Sequence, residues 1–247
     1  MCVIIYKPAD EVIPERVLRA CWTANSDGAG IAFPLRLEKR AYAVKGLDNV
    51  EDVVSWVEDF SESEMIVHFR IKSKGRKNIY QTHPFNISTD MGEVKSQIHY
   101  YSESLLFHNG TLTEFGNEHI SDTAELAHKV LSHLPDEKTK VKLLEELPGK
   151  FILVEKGQTW IIGHFEKRFG CSFSNTFWES RVNYPVTPYS SSRTREIIPE
   201  VTKRIIEQTV ETVTTSDAPA VTENSDGQNV ITGYEQSFAK KEEEQQE

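Results

Sequence analysis

Cys2 is the residue in this chain with the most chemistry open to it. It follows only Met1 in the opening Met1-Cys2-Val3-Ile4-Ile5-Tyr6, and a small side chain at position two favours removal of the initiator methionine. Cys2 would then carry a thiol nucleophile and a free α-amine on one Cα. An α-amine titrates at about pH 8 against about 10.4 for a lysine, so near neutrality a useful fraction is an unprotonated base beside the sulfur. A nucleophile with its own base is the arrangement of a covalent catalyst. Three other places offer polar groups that such a catalyst needs. Arg70 closes the apolar stretch Met65-Ile66-Val67-His68-Phe69, Asn109-Gly110 follows Ser104-Leu105-Leu106-Phe107-His108, and Asp122 stands in Ser121-Asp122-Thr123. Each also has a plain structural reading. Asn-Gly is the strongest short hairpin signal, Asp122 is well placed as a helix N-cap, and an arginine after an apolar strand suits the surface or a structural ion pair.

Composition narrows the setting. The 247 residues suffice for one large domain or two small ones, and 38% are hydrophobic. No apolar run approaches the roughly 20 residues that span a bilayer. Lys7 and Pro8 interrupt the opening apolar stretch, so no signal-peptide core is expected. The three cysteines, Cys2, Cys21 and Cys171, form no CxxC pair and no even-numbered framework, which fits free thiols in a reducing cytoplasm. Cys21 and Cys171 read as small buried hydrophobes. A formal charge of −10 argues against a general nucleic-acid binder, although Arg70-Ile71-Lys72-Ser73-Lys74-Gly75-Arg76-Lys77 is a basic run. No His/Cys/Asp spacing suggests a metal, and no cofactor is implied.

The elements that must position these groups read as a mixed α+β layout. Residues 2–6 form a short buried strand. Pro14 starts a helix carrying Val17, Leu18, Cys21 and Trp22, and Asn25-Ser26-Asp27-Gly28 is turn chemistry. Ala29–Phe33 and Leu37–Val44 read as paired strands, and Asp48 opens an acidic helix with Val53, Val54, Trp56, Val57 and Phe60. Met65–Phe69 and Ser104–His108 are buried strands, and the Ile/Ser/Thr stretch after His83-Pro84-Phe85 offers further strand. Helices are expected from Thr123 to Leu134 and over 136–147. Phe151–Glu155, Thr159–Phe165 and Cys171–Phe177 then alternate with turn residues as an antiparallel meander. After about Tyr189 the composition changes. An amphipathic helix is expected at Ile197–Val213, and from Thr214 a polar, acidic stretch has too little apolar surface to offset the entropy of ordering it, so a disordered tail is expected.

Four islands now line up with Cys2: Asn25-Ser26-Asp27-Gly28-Ala29-Gly30-Ile31, His68-Phe69-Arg70-Ile71, Phe107-His108-Asn109-Gly110 and Ser121-Asp122-Thr123-Ala124-Glu125. In this order they resemble the glutaminase domain of class II glutamine amidotransferases, members of the N-terminal-nucleophile (Ntn) hydrolases, over about residues 2–180. The resemblance implies a four-layer αββα sandwich, two antiparallel sheets between helical layers, in a domain spanning 2–189 with 190–247 as an appended segment. It implies that Cys2 attacks the side-chain amide of glutamine and its α-amine is the base. Asn109 and the Gly110 N–H would form the oxyanion hole, Arg70 would grip the α-carboxylate, and Asp122 would bind the α-ammonium. Asp27 and Gly28 would support the turn behind the nucleophile, and His83-Pro84-Phe85 has a family counterpart near the active-site wall. With the base role filled, His68 and His108 are expected to orient loops or hydrogen-bond in the core.

The match departs from the family at one point. After the strand arginine the family commonly reads Arg-x-Ala-Thr-His-Gly, whereas this chain reads Arg70-Ile71-Lys72-Ser73-Lys74-Gly75. Ser73 can replace the threonine hydroxyl, and Lys74 keeps a cation with different reach. Either both bind the α-carboxylate, or the pocket has moved toward another amide; a third alternative is a catalytically silent relative that binds a ligand or partner. Class II enzymes pass ammonia to a synthase or transferase domain, and no foldable stretch of that size follows residue 190. The expected acceptor is therefore a separate subunit, with glutamine as the small-molecule substrate and neither membrane nor nucleic acid as partner. The 197–213 helix and the acidic tail are candidate docking segments.

Overall fold

The computed structural model describes residues 1–72, 79–96 and 98–182, together with the strands at 220–223 and 229–232. In chain order the elements are β1 (Val3–Lys7), α1 (Glu15–Ala24), β2 (Ala29–Leu35), β3 (Arg40–Leu47), α2 (Val50–Asp59), β4 (Met65–Phe69), β5 (Phe85–Asn86), α3 (Met91–Ser96), β6 (His99–Ser102), β7 (Ser104–Asn109), α4 (Asp122–Lys129), α5 (Glu137–Glu146), β8 (Lys150–Glu155), β9 (Gln158–Ile162), β10 (Glu166–Arg168) and β11 (Cys171–Phe173).

A seven-stranded sheet has the order β10-β11-β1-β4-β2-β3-β6, and a four-stranded sheet the order β5-β7-β8-β9. Every pairing in both is antiparallel. Three hydrophobic cores fix the layer order. Val17, Leu18 and Cys21 of α1 and Val53, Trp56 and Val57 of α2 pack on Val3, Ile5, Val67 and Phe69 of the larger sheet. The opposite face of that sheet, through Ile4, Ala32 and Ile66, meets Leu105, Phe107, Ile152 and Val154 of the smaller one. The far face of the smaller sheet, through Leu106, Phe151 and Leu153, is covered by Leu126 and Ala127 of α4 and Leu144 of α5. This is the expected αββα sandwich. Central strands buried on both faces explain why Met65–Phe69 and Ser104–Phe107 read as unbroken runs rather than alternating ones.

Helix boundaries follow local chemistry. Asn49 and Asp136 cap α2 and α5, accepting the Asp52 and Thr139 amides. α4 stops at Lys129, and a separate 3-10 turn at Leu131–His133 takes up the rest of the segment expected as one helix. The expected meander is also divided. β8 and β9 pair within the smaller sheet, but the chain then crosses over, and β10 and β11 extend the larger sheet, with β11 beside β1. Phe165 is buried between the sheets at the crossing, so the apolar content that suggested a continued strand instead fills the inter-sheet core. β6 carries no strong periodicity and emerges only from its pairing with β3, and α3 likewise has no strong sequence signal.

Within the segment expected to be a polar tail, Ala220–Glu223 and Asn229–Thr232 pair as an antiparallel hairpin, β12 and β13. The amphipathic helix expected at 197–213 lies outside the described residues. Among the described residues no helix is long and apolar enough to cross a membrane, and no group of His, Cys, Asp and Glu side chains is arranged to hold a metal ion.

Candidate active site

Successive side chains on a strand point to opposite faces, and that alternation selects the site. In β1, Ile4 and Tyr6 face the inter-sheet core, so Cys2, two residues before Ile4, falls on the same side. In β4, Ile66 faces inward, and His68 and Arg70 follow its parity. In β7, Leu105 and Phe107 face inward and Asn109 follows, while Leu106 and His108 point to the α4 side. Val3 pairs with Phe69, which sets Cys2 across from Arg70. The ends of three strands therefore deliver Cys2, Arg70 and Asn109 to one rim of the sandwich.

A cavity at this rim is lined by Cys2, Arg70, Gly110 and Asp122, with His83 and His108 on its walls. The four come from separate stretches of chain, so the fold unites most of the residues that the sequence singled out. Asn109 is adjacent but does not line the cavity. Ser73 and Lys74 lie outside the described residues.

Cys2 is held from several directions. Its Sγ lies 3.3 Å from both the Ile71 N–H, from which it accepts, and the Ile71 carbonyl. Its carbonyl oxygen accepts from Asn175 Nδ2 at 2.6 Å. Although the residue as a whole is half-exposed, its sulfur is shielded, and burial pushes the thiol above its ordinary value despite the nearby chain terminus and Arg70. Such a thiol stays protonated near neutrality and needs a base to react. Met1 is 68% exposed, which leaves it open to an aminopeptidase. While Met1 is attached, the Cys2 nitrogen is an amide and cannot serve as that base.

Arg70 sits just beyond β4, 3% exposed. Its amide donates to the Gly28 carbonyl at 2.8 Å and its carbonyl accepts the Asp27 N–H at 2.9 Å. Asp27 Oδ2 also accepts the Lys72 N–H at 2.9 Å, so the 27–28 turn buttresses the strand end as expected. Burial lowers the Arg70 guanidinium from its ordinary value, partly offset by Cys2, Asp27 and Asp122.

Asp122 is the first residue of α4, and Ser121 occupies the N-cap position without a side-chain cap bond. The local N-cap reading of Asp122 is therefore replaced. Its Oδ2 accepts the Leu112 N–H at 2.9 Å and its Oδ1 the Thr123 N–H at 2.8 Å. Asp122 thus ties the loop beyond Gly110 to the helix while lining the cavity.

Three buried imidazoles complete the surroundings. His68 and His83 lie with ring centroids 4.0 Å apart, and His108 stacks on Phe151 at 4.5 Å. His108 Nδ1 meets Thr123 Oγ1 at 3.0 Å. Its Nε2, and both ring nitrogens of His68 and His83, form no hydrogen bond with any described residue. Backbone groups of His108 and Pro148 act on His68 and His108 electrostatically without reaching hydrogen-bond geometry. Burial pushes His68 down to about 3, His108 to about 4 and His83 well below its ordinary value. All three are neutral at neutral pH. Of the two roles expected for these imidazoles, orienting loops or hydrogen-bonding in the core, His108 makes a core hydrogen bond to Thr123.

Two glycines permit this packing. A Cβ on Gly30 would lie 1.9 Å from the His83 carbonyl oxygen, and one on Gly110 would lie 2.6 Å from His108 Nε2. The backbone approaches are possible only where no side chain intervenes.

Sequence reasoning missed three contributors. Gln81 is buried and its Oε1 accepts the Ser121 N–H at 2.7 Å, holding the start of α4. Ser174 Oγ accepts from both Asn109 Nδ2 at 2.9 Å and Ile4 N at 2.8 Å. Asn175 holds the Cys2 carbonyl. Nothing local marks them, because each acts on a partner far away in sequence.

No family model and no curated protein matches this chain. Among solved structures it is similar to the glutamine phosphoribosylpyrophosphate amidotransferase of B. subtilis, complexed with ADP and GMP. The identity is 18% and the TM-score 0.46, over 74% of this chain and 43% of that one. The chain therefore spans less than half the length of that enzyme chain.

Proposed function

We propose that this protein is a glutaminase of the class II amidotransferase kind, which splits the side-chain amide of glutamine through a Cys2 thioester. The observation that carries the reading is that Cys2, Arg70, Gly110 and Asp122 meet in one cavity. Once Met1 is removed, the α-amine takes the Cys2 thiol proton as sulfur attacks the amide carbon. The resulting oxyanion is stabilised by the Gly110 N–H and the Asn109 amide. The C–N bond then breaks and the amine returns the proton to the departing ammonia. Water, activated by the same amine, cleaves the thioester to release glutamate. Arg70 suits the α-carboxylate because a guanidinium can grip it bidentately. Asp122 offers a carboxylate for the α-ammonium, and Ser73 and Lys74 would reinforce the carboxylate site. The ammonia is delivered to an acceptor on a separate protein in the cytoplasm.

Intact mass and a glutamine-analogue electrophile test this directly. The expected result is a chain lacking Met1 and labelled on Cys2, with labelling lost in Cys2→Ala and strongly reduced in Asp122→Ala. Retained Met1, or ammonia release from glutamine that persists in Cys2→Ala, refutes the mechanism. A second reading, an N-terminal-cysteine amidase acting on another amide, is favoured by Ser73 and Lys74 standing where the family has threonine and histidine. Label from a non-glutamine amide in preference to the glutamine analogue would support it.

A further inference from the structure

Resting on that reading of the site, we infer that Ser174 is a positioning residue that sets the oxyanion donor Asn109 relative to the nucleophile. Ser174 directly follows β11, whose Cys171 and Phe173 face α1 and α2. Alternation therefore turns Ser174 toward the space between the sheets. There it is fully buried, and it joins two chain segments that no strand pairing joins. On one side it is locked to the nucleophile strand, its Oγ accepting from Ile4 N at 2.8 Å and its own N–H donating to the Ile4 carbonyl at 2.9 Å. On the other side the same Oγ accepts from Asn109 Nδ2 at 2.9 Å, at the end of β7 in the opposite sheet. Cys2 lies two residues before Ile4, so one hydroxyl spans the two halves of the catalytic apparatus.

Ser174 is the hydrogen-bond partner of the Asn109 side chain among the described residues, and Asn109 Oδ1 is buried without one. The amide carries two N–H groups. Ser174 takes one, fixing the amide plane, and the second remains for an oxyanion. Without the hydroxyl, rotation of the amide is no longer opposed by a side-chain bond. Asn175, next in the chain, holds the Cys2 carbonyl at 2.6 Å, so the exit from β11 fixes both groups from one short segment.

The test separates this role from the identity of the substrate by using p-nitrophenyl acetate. The Cys2 sulfur attacks the ester carbon and p-nitrophenolate leaves. The α-amine takes the thiol proton, and the intermediate needs the oxyanion hole but no glutamine site. Iodoacetamide alkylates the same sulfur by displacing iodide and needs no oxyanion hole. In protein shown by intact mass to begin at Cys2, Ser174→Ala is expected to slow ester acylation by about 10- to 100-fold, as a displaced catalytic donor does. Iodoacetamide alkylation should stay within about twofold of wild type. Ser174→Thr, which keeps the hydroxyl, should restore acylation, and Ser174→Ala should add nothing to the loss in Asn109→Ala, because the two act as a unit. Should the alanine variant not fold, Ser174→Cys keeps the shape with a poor acceptor and carries the same expectation, with labelling read on the N-terminal peptide. Unchanged acylation, a parallel fall in alkylation, or additive losses overturn the inference. Ester acylation that responds to Ser174 in a protein that does not turn over glutamine overturns only the substrate reading.

Discussion

Two buried polar clusters in this molecule are built on opposite rules. In the first, Lys140 of α5 meets Glu155 of β8 at 2.9 and 3.0 Å, and Ser104 joins the same carboxylate at 2.5 Å. Each group there has its partner inside the cluster. In the second, beside Cys2, five imidazole nitrogens of His68, His83 and His108 and the Asn109 Oδ1 have no hydrogen-bond partner among the described residues. Leaving a buried polar group unsatisfied costs about 1–3 kcal/mol, so this end of the sandwich is held by its surroundings against its own preference. The larger sheet with α1 and α2, and the smaller sheet with α4 and α5, supply that support. The polar groups of the first cluster are satisfied internally, and those at the Cys2 end, of which His83 and His108 line the cavity, retain unused hydrogen-bonding capacity.

The contrast can be broken most severely at Cys2. Cys2→Ala is expected to lower glutamine hydrolysis by at least about 10⁴-fold while leaving the urea midpoint unchanged, as measured by ammonia release and equilibrium unfolding. The reverse pattern is expected in the satisfied cluster. Glu155→Gln strands a buried lysine charge and should cost about 3–5 kcal/mol of stability, with Cys2 labelling in the remaining folded protein unchanged. Replacing both partners, as in Lys140→Met with Glu155→Leu, should recover most of that loss, because no unpaired charge remains.

Asp122→Asn keeps an acceptor for the Leu112 or Thr123 amide but removes the charge. Steady-state kinetics should show KM for glutamine rising by about 10- to 100-fold, the range of a lost hydrogen bond to a charged group, with a smaller change in kcat. A fall in kcat alone would instead assign Asp122 to loop support.

A further effect is expected in acid. An unfolded histidine titrates at about 6.5, whereas His68 titrates at about 3 and His108 at about 4 in the fold. Between those values the unfolded chain binds protons that the folded chain does not, so stability is full above about pH 6.5 and falls as the pH drops toward 4. Urea midpoints across that range should show the decline, and His68→Phe should make it shallower, with His108 and His83 carrying the remainder. A midpoint that ignores pH through this window would mean that the imidazoles are hydrated rather than desolvated.

Much of the architecture was legible before any coordinates. Apolar periodicity placed α1 and α2, apolar runs placed β4 and β7, and turn chemistry at Asn25–Gly28 marked a boundary that the fold respects, whereas the caps at Asn49 and Asp136 emerged only with the structure. The crossing after β9 was not legible, because Phe165 is as apolar in a continued strand as between two sheets. Gly30 looked like an ordinary strand residue, and only the His83 carbonyl against its Cα explains it. Of the site, Cys2, Arg70, Gly110 and Asp122 were recognisable from residue type and order. Gln81, Ser174 and Asn175 were not, since their partners lie 40, 65 and 173 residues away.

Cys2 is a potential nucleophile by its position in the chain, and period-two alternation already places Cys2, Arg70 and Asn109 on the same face of their strands. Those are local properties, set by covalent order and backbone geometry. Whether the three faces meet was decided only when the two sheets stacked. Inter-sheet hydrophobic burial is non-directional and leaves their relative placement to contacts such as the one between Ser174 and Asn109. The shielding that holds the Cys2 thiol protonated has the same tertiary origin, because desolvation depends on neighbours that the chain brings together only on folding.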